Sequence, residues 1–475
     1  MIETTSTIIL SLILIIPFII SFLTINSVIL NNNTSLIFIK SFLSLGFGCG
    51  ISSIFFFITI ITFGNSFIYS LLLETVILLF LISYLYLNYY KQTIYYYRNK
   101  YDVKLLNANH WARWIRNIFW VALFLSVASF IIQSAYNPHG AWDAFAIWNT
   151  RARYLFRAGE QWSGAFSTFY SHPDYPIMLP LFIAICWRYL GSDTVIIPII
   201  IGLIFTYSIV GIVVCSVTYC STASQGYLAG LVLLGTNPFI SSGLSQYADI
   251  PLSFYFLTTI VLLTLKCKLS FKHGAIALAG IAAGLAAWTK NEGILFLVVI
   301  ISSFFFLTWT YDGWKQATKD ILVFIVGLIP VLTCIIYFKI IYASGNDIIV
   351  GQGFHSTLAR LTDFSRYAII MKKFLNEIYF FHVLRDNKFD IPMTIILFMG
   401  IFLLKRPQKL NANLSLKYAI ISLCLMLIGY FFVYVITPND LTWHINTSLQ
   451  RLLVHLWPSL VFIFFLSVRN VEEPV

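Results

Sequence analysis

Long apolar runs alternate with short polar breaks along the whole chain. A helix needs roughly 20 apolar residues to cross a bilayer core. Runs approaching that length occupy 7–29, 37–63, 68–88, 115–134, 194–214, 227–243, 249–266, 274–289, 293–310, 321–343, 391–404, 418–437 and 452–468. A further apolar stretch covers 176–190. The pattern predicts an all-α polytopic membrane protein of about 13 transmembrane helices. Residues 1–475 read as a single transmembrane domain, because no break is long and polar enough to fold separately. The first run, Ile8 to Leu30, is long enough to span and follows Glu3 rather than a basic segment, so it reads as a span and not as a signal peptide.

Composition sharpens this reading. Apolar residues make up 59% of the chain and charged residues 10%. That charge is too sparse to cover a soluble protein of this length. The net charge of +11 does not indicate nucleic acid, since the basic residues are scattered among the breaks. Three clusters stand out: Lys91, Arg98, Lys100, Lys104, Arg113 and Arg116; Lys266, Lys268 and Lys272; Lys405, Arg406, Lys409 and Lys417. The positive-inside bias places all three in the cytoplasm. The loops 135–193, 344–390 and 438–451 then lie on the other face, with short turns at 244–249 and 290–292. The parity closes if 176–190 is re-entrant or interfacial, which gives a helical or re-entrant outer loop after the fourth span, or if another short run is not a span. The seven cysteines lie in or beside apolar segments, with no CxxC pair and no zinc-like spacing to histidine, and read as core residues. No metal site is expected.

The sidedness makes the acids informative. Asp143, Glu160, Asp174, Asp193, Asp249, Glu292 and Asp440 all fall on the non-cytoplasmic side. Asp347, Asp363, Glu377 and Asp386 are there too and read as ordinary solvated loop charges. An acid packed against Trp, Tyr or Pro at the end of a span is different, because burying a charge is costly.

Five segments carry candidate chemistry. The first is His139-Gly-Ala-Trp142-Asp143, followed by Trp148, Arg151 and Arg153. A carboxylate held between aromatic walls at the membrane surface suits a general base; equally, Asp143 suits an ion pair with Arg151. The second is His172-Pro173-Asp174-Tyr175-Pro176, whose prolines set an extended turn that fits a ligand contact or a plain helix entry. The third is Tyr247-Ala248-Asp249-Ile250-Pro251, where Asp249 also reads as a helix N-cap. In the fourth, Trp288-Thr289-Lys290-Asn291-Glu292, Lys290 fits either a phosphate or a pairing with Glu292. The last holds Asp440, Trp443, His444 and Arg451 and suits an anionic lipid headgroup. Glu74 stands alone inside the third span and reads as a neutral acid hydrogen-bonded between helices.

On these residues the sequence resembles the GT-C superfamily of membrane glycosyltransferases. It looks most like the bacterial relatives of protein mannosyltransferases and lipid A aminoarabinose transferases. The likeness rests on Asp143, the His172-Pro-Asp-Tyr-Pro turn, Asp249 in Ala-Asp-Ile-Pro-Leu, the Gly-Leu-Ala-Ala-Trp-Thr-Lys290 run and the late Arg451. It covers 115–465 as a catalytic core and leaves 1–90 as extra N-terminal spans. The resemblance implies transfer of a sugar from a polyprenyl-phosphate-linked donor to a glycan, lipid or protein acceptor, with inversion, at the outer face of a bacterial inner membrane. Asp143 would be the base, with Asp174 and Asp249 as the other candidates. His172, Arg151, Arg153, Lys290, Glu292, His444 and Arg451 would bind substrate. No cofactor is implied, and a metal is not obligatory because no nucleotide diphosphate is released. Many relatives carry two adjacent acids in the first outer loop, whereas Asp143 is followed by Ala144. The competing reading is a transporter or flippase of a lipid-linked or anionic solute, which would place charges near the bilayer midplane in repeated halves.

Overall fold

A computed structural model describes residues 14–29, 34–64, 66–98, 110–266, 272–343, 345, 353–379, 381 and 414–468. Among these the chain is all-helical, with no strand. Helices α1 (Ile16–Val28), α2 (Thr34–Phe63), α3 (Phe67–Arg98) and α4 (His110–Tyr136) come first. A π-helical turn, Ala144–Trp148, leads into the short α5 (Asn149–Arg157). Then follow α6 (Met178–Leu190), α7 (Ile196–Cys220), α8 (Ala223–Leu234), α9 (Asn237–Leu244), α10 (Asp249–Leu265), α11 (Lys272–Thr289), α12 (Asn291–Asp312) and α13 (Trp314–Ile341). The short α14 (Phe354–Thr362) and α15 (Phe364–Tyr379) precede α16 (Leu414–Ile436) and α17 (Leu441–Ser467).

Eight of the described helices are long and apolar enough to cross a membrane, or nine if the pair α8 and α9 makes one span. That pair bends by 64° at Gly235-Thr236, and Pro238 in the first turn of α9 favours a fresh helix start there. The sequence pattern reads 227–243 as one continuous span; the structure divides it. Three other expected spans are shorter or less apolar helices: α1, α10 and α11. The expected span 391–404 lies outside the described residues, as do Asp386, Lys405, Arg406 and Lys409. Helix α6, at 13 residues, rises about 20 Å and so falls short of a bilayer core.

Helix α10 is the axis of the fold. It is apolar all round, all of its residues are buried, and α7, α11, α16 and α17 surround it. Helices α11 and α13 approach closely because both carry glycine at the contact. A methyl group on Gly280 would meet the Phe324 carbonyl oxygen at 2.1 Å, and one on Gly327 would meet the Ala277 carbonyl oxygen at 2.0 Å. Helices α3 and α4 lie outside, with few buried side chains. The N-terminal helices are nevertheless built in, since α2 packs on α6 and α7. Glu74 of α3 joins them. It accepts hydrogen bonds from Ser52 Oγ at 2.7 Å and Tyr189 OH at 3.2 Å, as expected for an acid held between helices. Glu74→Leu would strand both hydroxyls and is expected to cost about 1–3 kcal/mol. Glu74→Gln, which can still bond both, should cost less; reversible SDS unfolding in mixed micelles measures the difference.

The two ends of the α10–α11 pair differ in charge. At one end Asp320 of α13 is buried beside Lys266 at 3.4 Å and Lys272 at 3.0 Å. Lys266 also sits over the rings of Phe304 at 4.3 Å and Tyr418 at 5.0 Å. This end holds Lys266 and Lys272 of the second basic group, which the charge bias assigns to the cytoplasm; Lys268 lies outside the described residues. The opposite end, where α10 begins and α11 finishes, gathers the candidate acids.

Candidate active site

Asp249 is the first helical residue of α10 and follows Ala248 at the cap position. The sequence suggests a capping role, but Ala248 occupies the cap position and the Asp249 carboxylate is engaged by other side chains. Instead Oδ1 accepts from Lys290 Nζ at 2.9 Å and lies 2.7 Å from His455 Nε2, while Oδ2 accepts from Arg451 Nε at 2.8 Å. The carboxylate is fully buried, and the first turn of α10 adds its favourable dipole. Lys290 stands at the α11–α12 junction and also pairs with Glu292 at 2.8 Å. Burial alone lowers its pKa, but Asp249 and Glu292 carry it above the usual lysine range.

Arg451 spans two acids. Its Nη2 donates to Asp143 Oδ2 at 2.6 Å while its Nε holds Asp249, and its guanidinium lies 4.5 Å from the Tyr247 ring centroid. The ion pair of Asp143 is therefore with Arg451, not with Arg151. The π-helical turn directly after Asp143 departs from regular helix there, a distortion found often at functional sites. The Asn149 amide donates to Gln246 Oε1 at 2.9 Å, and Gln246 Nε2 donates to the Pro138 carbonyl at 3.0 Å. These bonds dock the first outer loop onto the turn before α10.

Arg151 serves the neighbouring turn. Its guanidinium donates to the carbonyls of Ser171, at 2.8 Å, and His172. His172 holds a left-handed backbone with φ of 52°, uncommon for a non-glycine residue. Its ring stacks on Tyr175 at 4.6 Å, and Tyr175 stacks on Trp148 at 5.7 Å. Burial pulls Arg151 down to about 10 against the opposing charge of Asp174. Asp174 accepts from Asn291 Nδ2 at 2.7 Å, and Lys339 Nζ donates to Asn291 Oδ1 at 2.8 Å. Because Asn291 lies between Lys290 and Glu292 in the chain, the two clusters adjoin.

The structure thus brings Asp143, Asp174, Asp249, Lys290, Glu292, Arg451, Arg151 and His172 to one end of the bundle. Arg153 makes its ion pair away from Asp249, and His444 lies within electrostatic range of Glu292 and His172 without touching Asp249. Arg153 lies 3.5 Å from Asp193, which also pairs with Arg157. These three residues line an open cleft with His139, Phe145 and Val195. His444 lies 2.9 Å from Thr437 Oγ1 and packs edge-on to Tyr434. Sequence reasoning missed His455, Asn291 and Lys339. His455 had a signal: it stands four residues after Arg451 and so shares its helix face. Several buried groups have no hydrogen-bond partner among the described residues: Trp148 Nε1, Arg151 Nε and Nη1, and Glu292 Oε2. A cavity of about 320 Å³ lies between α9, α15 and α17, lined by Asn237, Ser241, Lys373, Glu377, Asn446 and Gln450 among others. Gln450 is the chain neighbour of Arg451.

The chain matches no family model, no curated protein and no solved structure.

Proposed function

We propose that the protein is a membrane glycosyltransferase that moves a sugar from a polyprenyl-phosphate-linked donor to an acceptor hydroxyl at the non-cytoplasmic face. The observation that carries this reading is the meeting of Asp143, Asp249, Lys290 and Arg451, from four distant segments, at one end of the bundle. The resemblance to GT-C enzymes rests on the same residues. Of the three candidate bases, Asp143 is the most accessible, with 16% of its side chain exposed against 2% for Asp174 and none for Asp249. Asp143 takes the acceptor proton as the acceptor oxygen bonds to the anomeric carbon. The bond from that carbon to the phosphate oxygen breaks, and its electron pair leaves with the polyprenyl phosphate. Arg451 and Lys290 stabilise that leaving charge. Asp249 keeps both cations in place, and the unpartnered donors on Trp148 and Arg151 offer further contacts to substrate.

A transporter or flippase reading is less well supported. A transport site is expected near the bilayer midplane on broken helices, whereas Asp249 and Lys290 stand where α10 starts and α11 ends, with Arg451 and His455 reaching them from within α17. Deleting the gene and profiling surface glycans and polyprenyl-phosphate sugars by mass spectrometry tests the proposal. The expected outcome is loss of one sugar from an acceptor with build-up of its lipid-linked form, restored by the wild-type gene. Unchanged glycans and lipid-linked sugars would sink it.

A further inference from the structure

Helices α14 and α15, read from sequence as part of a solvated outer loop, have unusual surfaces for that setting. In α14, Phe354, Leu358 and Leu361 recur at helical spacing and form an exposed apolar stripe, with Phe354 77% exposed. His355, Ser356 and Arg360 occupy the other side. In α15, Ile370 and Phe374 are the buried residues and face the bundle. Beside them on the helical wheel lies a second apolar sector of Phe364, Met371, Leu375 and Ile378, all exposed, with Phe364 82% exposed. Lys372, Ser365, Asn376 and Lys373 share the remaining arc with Ile369 and Tyr379.

The position of these helices along the bundle is set by two arginines. Arg366 donates to the carbonyls of Val435 at 3.0 Å, Tyr434 at 3.1 Å and Thr437 at 3.1 Å. Arg360 donates to the Ile436 carbonyl at 3.2 Å. These carbonyls belong to the end of α16 and the residue after it, so the arginines cap a membrane-spanning helix where it leaves the bilayer. The apolar surface is also continuous across the junction. Phe431 of α16 packs against Tyr367 at 5.9 Å and Phe374 at 5.8 Å. Next to it, Phe432 and Ile428 expose an apolar face on the same span.

We propose that α14 and α15 lie in the outer lipid–water interface of the bilayer, with their exposed apolar stripes inserted among the acyl chains. A helix of this type sits with its apolar face about 5–10 Å below the headgroup boundary. Four cations, Arg360, Arg366, Lys372 and Lys373, against Asp363 and Glu377 give the pair a net positive charge that suits anionic headgroups. Lys373, Asn376 and Glu377 of α15 also line the cavity beside α17. The lipid surface therefore supports one wall of that cavity. The inference stands whether or not the protein is a transferase.

The test places an environment-sensitive fluorescent amino acid at residue 354, 375 or 372 of the full chain, in nanodiscs of phosphatidylcholine and phosphatidylglycerol. All three positions are exposed, so the label disturbs no packing. Probes at 354 and 375 should emit at short wavelength and lose most of their emission in lipids brominated on the acyl carbons nearest the headgroup. The probe at 372 should instead be quenched by aqueous iodide. Iodide quenching of all three, with none from brominated lipid, would overturn the proposal. So would shielding of 354 and 375 that disappears when the protein is diluted to one copy per nanodisc, because a second chain would then be the occupant.

Discussion

Asp143→Asn is expected to lower sugar transfer by about 10²–10⁴-fold, the usual contribution of a positioned general base. The amide oxygen can still accept from Arg451, which now donates to Asp143 Oδ2 at 2.6 Å, so the site should stay assembled. The variant should therefore insert and unfold like wild type. The loss should fall on turnover rather than on the apparent affinity for the lipid-linked donor. Transfer rates in proteoliposomes over a range of donor concentrations measure both. Full activity of Asp143→Asn at equal expression would remove Asp143 from the chemistry and turn attention to Asp174 and Asp249.

Arg451→Met should act on stability as well as activity. It removes a cation shared by two acids and leaves Asp249 with Lys290 and His455, and Glu292 with Lys290, as the remaining hub contacts. Breaking a buried pair from one side costs about 3–5 kcal/mol, and the partial exposure of Arg451 places the expected value near the lower figure. The double variant Asp143→Asn/Arg451→Met removes one of the stranded charges and should regain part of that loss. Reversible SDS unfolding of the two single variants and the double closes the cycle. Additive losses would mean that the two residues do not interact.

Much of the bundle was legible because span length and apolarity are properties of contiguous residues. The positions of α2, α12 and α16 follow their apolar runs to within a few residues, while α13 begins seven residues before its run. The break between α8 and α9 was less visible, since Thr236-Asn237-Pro238 interrupts a run that stays apolar on both sides. The acids of the site were legible by a different route: polar residues at span ends stand out against an apolar chain. Their partners were not. Nothing near Asp143 points to Arg451, whereas Arg151 lies two helical turns away and looks like the natural mate. Asp249 with a proline two residues on reads as a cap, and only the packing of α11 and α17 against α10 shows that its oxygens are taken by Lys290, Arg451 and His455.

The pair between Asp143 and Arg451 joins residues 308 positions apart. At a synthesis rate of about 5–20 residues per second, the acid waits roughly 15–60 s for its cation. During that interval Asp143, and for its last 202 residues Asp249, stand with their arginine not yet made. Lys290 follows Asp249 by 41 residues and can pair with it early, so it is Asp143 that needs water, protons or a helper protein until the helix bearing Arg451 enters. Completion of the charged hub is thus a late event in membrane insertion, and a stalled chain that lacks α17 carries an open, acidic end that quality-control proteases can recognise.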